Sequence, residues 1–235
     1  MKKLADKLFM AAILVLNCLP SFSQLPMVGS EQLLDKLRLN KGIKGMNDIE
    51  YSSIQGDPFL FKNFAVGSLT AINGEKFNVE VRYDMFASEM HIKNNNEILA
   101  IIHPEKVKLI EADDLKFIYS QYVKAPGEKS NGYSSYFIVN ADGKCKLLVK
   151  KNMRIQDAEP PKLYQEAKPA KFVALNDLYY LKINGNDAIK IKNEKELMTV
   201  LADKANELKT FIRINHLGVS KIEDLNKIVT YYNSL

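Results

Sequence analysis

The chain has no tryptophan, two cysteines and three histidines in 235 residues. Each shortage excludes something. Cys18 falls in a leader-like segment, so Cys145 has no partner for an internal disulfide and an ordinary apolar core must hold the fold. Missing tryptophan weakens the case for a sugar-stacking platform. His91, His103 and His216 share no metal-ligand spacing, and His-Glu-x-x-His is absent. Gly-x-Ser-x-Gly, Gly-x-Gly-x-x-Gly and the phosphate loop ending in Gly-Lys-Ser/Thr are absent too, which counts against the common hydrolase and nucleotide classes. No cofactor and no metal are expected.

What is present begins with an export signal. Met1-Lys2-Lys3 carries positive charge, residues 8–16 (LFMAAILVL) are apolar, and Ser21-Phe22-Ser23 offers small residues where a signal peptidase reads. Cleavage is expected before Gln24, leaving residues 1–23 as signal peptide. The apolar run is shorter than the roughly 20 residues that span a bilayer. Cys18 raises lipidation as an alternative, against which stands the bulky Asn17 before it. The expected location is the periplasm, the outer membrane's surface or the medium, and the cleaved chain is not expected to be integral to a membrane. Net charge is +5, part of it supplied by Lys2, Lys3 and Lys7 of the leader. So small a charge argues against a nucleic-acid partner.

Ser30 can cap a short helix over 31–39, with Leu33, Leu34 and Leu37 on one face. From 49 to about 154 the dominant period is two. Phe77, Val79, Val81 and Tyr83 face one way, Asn78, Glu80 and Arg82 the other, as in a strand with one buried face. Asn73-Gly74 predicts a hairpin joining 66–72 to this strand. Further strands are expected at 87–93, 97–102, 115–122, 136–140 and 144–150. Pro160, Pro161 and Pro169 make 159–171 a linker or crossover. Strands resume at 172–175, 178–183 and 188–192. Asn193 and Glu196 have capping-box spacing and open a helix about 20 residues long; Ser220 and Glu223 repeat the spacing ahead of a last helix. The regions are thus 24–158, mainly β with a short first helix; 159–171; and 172–235, a β-meander with a helical pair on the same sheet. The fold class expected is α+β: a mainly antiparallel curved sheet, sandwich or partial barrel, a short N-terminal helix and a C-terminal helical pair.

Candidate chemistry is sparse. His91 is expected on the solvated face of its strand, and Cys145 reads as a small buried apolar side chain. Glu111, Asp113 and Asp114 form an acidic cluster without the spaced ligands of a calcium loop, so a solvated turn is the simpler account. Lys144, Lys146, Lys150, Lys151 and Arg154 are the densest positive run. Their lysines are expected mostly on the outward side of a strand, deterring edge aggregation or binding an anionic glycan or lipid head group. Tyr119, Tyr122, Tyr133 and Tyr136 cluster around the polar loop 124–132 and are the candidate residues for a partner or ligand, since tyrosine combines a large ring with a hydroxyl.

The segment Phe77-Asn-Val-Glu-Val-Arg-Tyr83 and the tail Asp224-Leu-Asn-Lys-Ile-Val-Thr-Tyr-Tyr-Asn233 resemble a family of exported, functionally uncharacterised proteins of Gram-negative bacteria. The resemblance touches under a tenth of the chain and implies no activity and no site residues. In layout the chain is also similar to periplasmic lipoprotein carriers of the LolA type, from which the two capped C-terminal helices depart. The function expected is non-enzymatic binding of a protein or other envelope component. The alternatives are a carrier of an apolar ligand and a hydrolase whose site draws His91, Glu111, Asp113 and His216 together.

Overall fold

The computed structural model describes residues 51–94, 97–161 and 163–235. The expected leader, Cys18 and the helix at 31–39 lie outside them. The strands are β1 (Ala65–Ala71), β2 (Lys76–Asp84), β3 (Glu89–Asn94), β4 (Glu97–Ala100), β5 (Val107–Ala112), β6 (Leu115–Val123), β7 (Ser134–Ala141), β8 (Cys145–Lys150), β9 (Met153–Gln156), β10 (Lys171–Ala174), β11 (Leu178–Ile183) and β12 (Ala188–Ile191). Three helices follow: α1 (Glu194–Val200), α2 (Ala205–Ile214) and α3 (Ile222–Ser234).

Ten strands form one sheet in the order β12-β11-β8-β7-β6-β5-β1-β2-β3-β4. Its ends are not both free. Ala188 and Ile189 of β12 pair in parallel with Tyr122 and Val123 of β6. That pairing closes β6, β7, β8, β11 and β12 into a five-stranded barrel of mixed orientation, from which β5-β1-β2-β3-β4 extends as an antiparallel wing. Strands β9 and β10 pair separately. The fold is therefore a mostly sheet α+β fold with a C-terminal helix pair, and of the sheet forms expected it is the partial barrel.

Three apolar clusters fill it. Inside the barrel, Phe137, Leu148, Tyr180 and Ala188 pack together. Outside, the wing's Leu69, Val81, Tyr83, Met90 and Ile92 pack against Phe117, Tyr136 and Val149. The helices lay Leu197, Leu201, Leu208, Ile212, Leu225, Ile228 and Val229 on Cys145, Leu147, Leu181 and Ile191. Strand β8 is buried on both faces as a result, and each such leucine contributes about 1.5–3 kcal/mol.

The turns follow their residues. Gly74 takes φ +89° and its N–H donates to the Ala71 carbonyl, closing the β1–β2 hairpin as a type I turn with a bulge glycine. Asp113 and Asp114 both sit left-handed, at φ +49° and +62°, in the tight turn from β5 to β6. Strand β5 itself is not expected from the sequence. It exists because Val107, Ile110 and Ala112 bury their side chains between β1 and β6.

Three further expectations are corrected. The single helix of about 20 residues is broken: Leu201 leaves helical geometry, a 3-10 turn spans Ala202–Lys204, and α2 starts anew. The break is held by Asp203, which accepts from the Tyr232 hydroxyl at 3.1 Å and pairs with Lys144 at 3.1 Å. The first capping box does form, with Asn193 Oδ1 accepting from the Glu196 N–H, although Glu196 reaches back to the Lys192 N–H. The second does not: Lys221 is the N-cap, and Asp224 accepts from the Gly218 N–H instead. Finally, His91 is wholly buried rather than solvated, because Phe59 of the segment ahead of β1 lies over that face of the wing, ring centroids 5.8 Å apart.

The end of α3 is stitched to the barrel by one side chain. Asn233 Oδ1 accepts from the Cys145 N–H at 2.8 Å, and its Nδ2 donates to the Cys145 carbonyl at 2.9 Å, doing for the start of β8 what another strand would. Asn233→Ala strands both groups and is expected to cost about 1–3 kcal/mol. A urea midpoint within error of the wild type would refute this.

Candidate functional site

Period two decides what lies inside the barrel. On β6 the inward residues are Ile118, Ser120 and Tyr122, paired across to Phe137 and Ser135 of β7. On β8, Leu148 points in, and so do Lys146 and Lys150 on the same face. On β11 and β12 the inward set is Leu178, Tyr180, Lys182, Ala188 and Lys190. Apolar side chains hold the middle of the barrel, and lysines stand at both ends. The expectation that the lysines of the basic run face outward is thus corrected for Lys146 and Lys150. Closure turns that side of β8 into the lining of a barrel.

The two ends differ. At one, Lys182 Nζ donates to Ser120 Oγ at 2.9 Å, the Asn186 carbonyl at 2.5 Å and the Gly185 carbonyl at 3.3 Å, while Lys146 pairs with Asp142. That end is satisfied. At the other, Lys150 and Lys190 stand partly buried beside the exposed Lys124 that follows β6. None of these three ammonium groups has a carboxylate partner among the described residues. The nearby acids are engaged elsewhere: Glu128 accepts from the Lys124 backbone N–H at 3.0 Å, and Glu196 from that of Lys192 at 2.9 Å. Burial holds the Lys150 pKa below the ordinary lysine value, and the charges of Lys190 and Lys124 push it further down. Lys190 is lowered by burial, with Lys192 and Lys124 adding and Glu196 opposing.

Aromatic rings floor this mouth. Tyr122 stacks on Tyr133 with centroids 5.7 Å apart, and meets Tyr180 edge-on at 5.3 Å. Lys124 Nζ lies 4.1 Å from the Tyr133 ring centre and Lys150 Nζ 5.4 Å from that of Tyr122. A cation over a ring face is attracted to its negative centre. The four candidate tyrosines therefore separate into two pairs. Tyr122 and Tyr133 line the mouth. Tyr119 and Tyr136 meet edge-on at 5.1 Å on the opposite face of β6 and β7, where Tyr136 is buried in the core and Tyr119 shares a hydrogen bond with Ser134.

The other candidates stay apart. Glu111 is on β5, held well below the usual carboxylate range by its hydrogen bond to Lys76, and Asp113 is in the next turn. His91 is on β3, at the far side of the wing, and His216 follows α2 in a left-handed conformation. Burial pushes the Cys145 thiol up to about 12, so it is not a nucleophile at neutral pH. Beneath Phe59, Arg82 stacks 3.5 Å from that ring's centre, His91 Nε2 lies 3.7 Å from Glu89 Oε2, and the buried Asp84 accepts from the Tyr51 hydroxyl and two backbone N–H groups. That cluster seats the covering segment on the wing, and a substrate would reach His91 only by displacing it.

Among the described residues no helix is long and apolar enough to cross a membrane, and no His, Cys, Asp and Glu group could hold a metal ion. No family model, curated protein or solved structure matches the chain.

Sequence reading found Tyr122, Tyr133 and Lys150 but not their meeting with Lys124 and Lys190. A signal was present: in 178–183 and 188–192, Lys182 and Lys190 share the parity of Tyr180 and Ala188, an apolar face with charged ends.

Lys150→Met keeps much of the stem and removes the charge. It is expected to raise Tm at neutral pH by about 2–4 °C. In the folded state the lysine pKa is lowered, so between the folded and unfolded values the unfolded chain binds more protons, and the wild type gains stability as pH rises through that window. The variant's advantage should shrink in alkaline buffer. Thermal unfolding of both proteins at neutral and alkaline pH decides it; an advantage that stays constant would sink the argument.

Proposed function

We propose that this is an exported envelope protein that acts without catalysis, binding another macromolecule through the basic, tyrosine-lined mouth of its barrel. The leader at 1–23 supports export, and the resemblance to exported proteins agrees with it. The observation that carries the binding reading is the run Lys124–Tyr133–Tyr122–Lys150, in which cations and rings meet at an open rim and neither ammonium group has a paired carboxylate among the described residues. Tyrosine and charge together favour a contact surface.

Rim binding is favoured over carriage of an apolar ligand inside the barrel, whose middle is filled by Phe137, Leu148 and Tyr180. It is favoured over hydrolysis because His91, Glu111, Asp113 and His216 do not converge.

The test is native mass spectrometry of the protein isolated from its own envelope. The wild type should retain a macromolecular partner at fixed stoichiometry. Tyr133→Ala combined with Lys124→Ala should reduce its occupancy by about tenfold, the ~1.4 kcal/mol typical of an interface tyrosine. Equal recovery from both proteins would overturn the reading.

A further inference from the structure

We infer that the barrel mouth is a phosphoryl-binding site, in which Lys124, Lys150 and Lys190 converge on one tetrahedral dianion. This rests on the reading of the mouth as the binding surface and names the chemistry it recognises. Three observations carry it.

The first is convergence without neutralisation. Lys150 of β8, Lys190 of β12 and Lys124, which directly follows β6, come to the same end of the barrel. Bringing like charges together is unfavourable, and more so where water is partly excluded. An ordinary lysine-bearing surface relieves this with acids, as elsewhere here: Lys144 pairs with Asp203, Lys151 with Asp177, Lys76 with Glu111. At the mouth, Glu128 and Glu196 accept from backbone N–H groups and Asp177 pairs with Lys151, so among the described residues none of the three forms an ion pair with Lys124, Lys150 or Lys190, although the charge of Glu196 acts on Lys190.

The second is the contrast between the two ends of one barrel. Lys182 at the opposite end is fully engaged by Ser120, Gly185 and Asn186. An inward lysine in this fold can thus be satisfied by protein oxygens alone. Among the described residues Lys150 and Lys190 have no such oxygen partner.

The third is the kind of cation. All three are lysines. A guanidinium fork binds carboxylate and phosphate alike through two parallel bonds, whereas ammonium groups act as point charges that can be set around a tetrahedron. The Tyr122 and Tyr133 rings beneath them limit access of water from below and hold the Lys124 and Lys150 stems over their faces. The mouth also adjoins an open groove of about 480 Å³, lined by Asp177, Leu178, Tyr179, Lys190, Lys192 and Ser220 among others, which has room for the body that carries the phosphoryl group; Asp177 there is paired with Lys151.

The probes are inorganic phosphate and vesicles of phosphatidylcholine with or without phosphatidic acid, used on the full mature chain. With no tryptophan in the sequence, tyrosine emission is the intrinsic signal, and Tyr122 and Tyr133 of the mouth contribute to it. Millimolar phosphate at constant ionic strength should raise Tm and change that emission, and the affinity should fall as sodium chloride is added. Lys150→Met and Lys190→Gln should each weaken phosphate binding by about tenfold, ~1.4 kcal/mol. Lys93→Gln, at a lysine that pairs with Glu80 on the wing, should leave it unchanged. Because Lys150→Met is expected to be more stable than the wild type, lost binding in that variant cannot be blamed on unfolding. Sedimentation with phosphatidic acid vesicles but not with plain ones identifies a lipid headgroup as source; phosphate binding without vesicle binding identifies a soluble phosphate or phosphomonoester. No response to phosphate or to phosphatidic acid, or an equal response from Lys150→Met, overturns the inference. If phosphate fails yet the rim variants still lose the macromolecular partner, the inference falls and the binding reading stands. If phosphate binds while partner recovery ignores the rim, the reverse holds.

Discussion

The barrel and its lysine-bearing mouth depend on a two-residue parallel pairing. Ala188 and Ile189 of β12 lie beside Tyr122 and Val123 of β6. Without that contact the ten-stranded sheet has two free edges and two open faces. With it, half of the sheet acquires an inside, and every second residue of five strands changes its surroundings. Ala188 is wholly buried at the closure and faces the ring of Tyr122. A small side chain there lets β12 approach β6 closely enough to bond. Closure also removes an edge that would otherwise invite another strand.

Closure then sets the electrostatics. Lys190 stands next to Lys124 only because β12 runs parallel to β6 in this register. Lys150 joins them because β8 reaches the same end from the other side. A register shift of one residue would turn Lys190 outward and Ile191 inward. It would also remove Ile191 from the cluster under the helices, where it packs with Leu197 and Leu201. The helices therefore help to fix the mouth's charge. Asn233 and the Tyr232–Asp203–Lys144 chain anchor them to β8.

What the sequence made legible was local. The hairpin at Gly74, the strands' alternation, the Asn193 cap and the apolar stripe of the last helix all arise from residues within a few positions of one another, and they stand as expected. What it hid was non-local. His91 shares parity with Glu89 and Lys93, and only the lid formed by Phe59 makes that face dry. Strand β5 carries a weak pattern and is a strand because two neighbours complete it. The helix break near Leu201 is held by Tyr232, some thirty positions away. The facing of Lys146 and Lys150 follows from a closure that no local pattern announces. The site was half visible for the same reason: tyrosines near one loop are a sequence feature, whereas three lysines from three strands are a feature of topology.

A barrel of five strands is narrow, and this one is filled across its middle by Tyr122, Phe137, Leu148 and Tyr180. A ligand can meet it only at an end. Stability alone would close that end with apolar side chains or with protein oxygens, as Lys182 is closed at the other. Holding Lys124, Lys150 and Lys190 together without paired acids among the described residues lowers the stability of the free protein, and an anion that binds only the folded state restores it increasingly as its concentration rises. The penalty in the free form and the affinity for an anion have one origin, since removing a charge from the mouth relieves the first and weakens the second. A surface lysine cluster kept only for solubility would not couple the two, because water already screens it. The partial burial of Lys150 over the Tyr122 ring is what makes the coupling strong enough to matter.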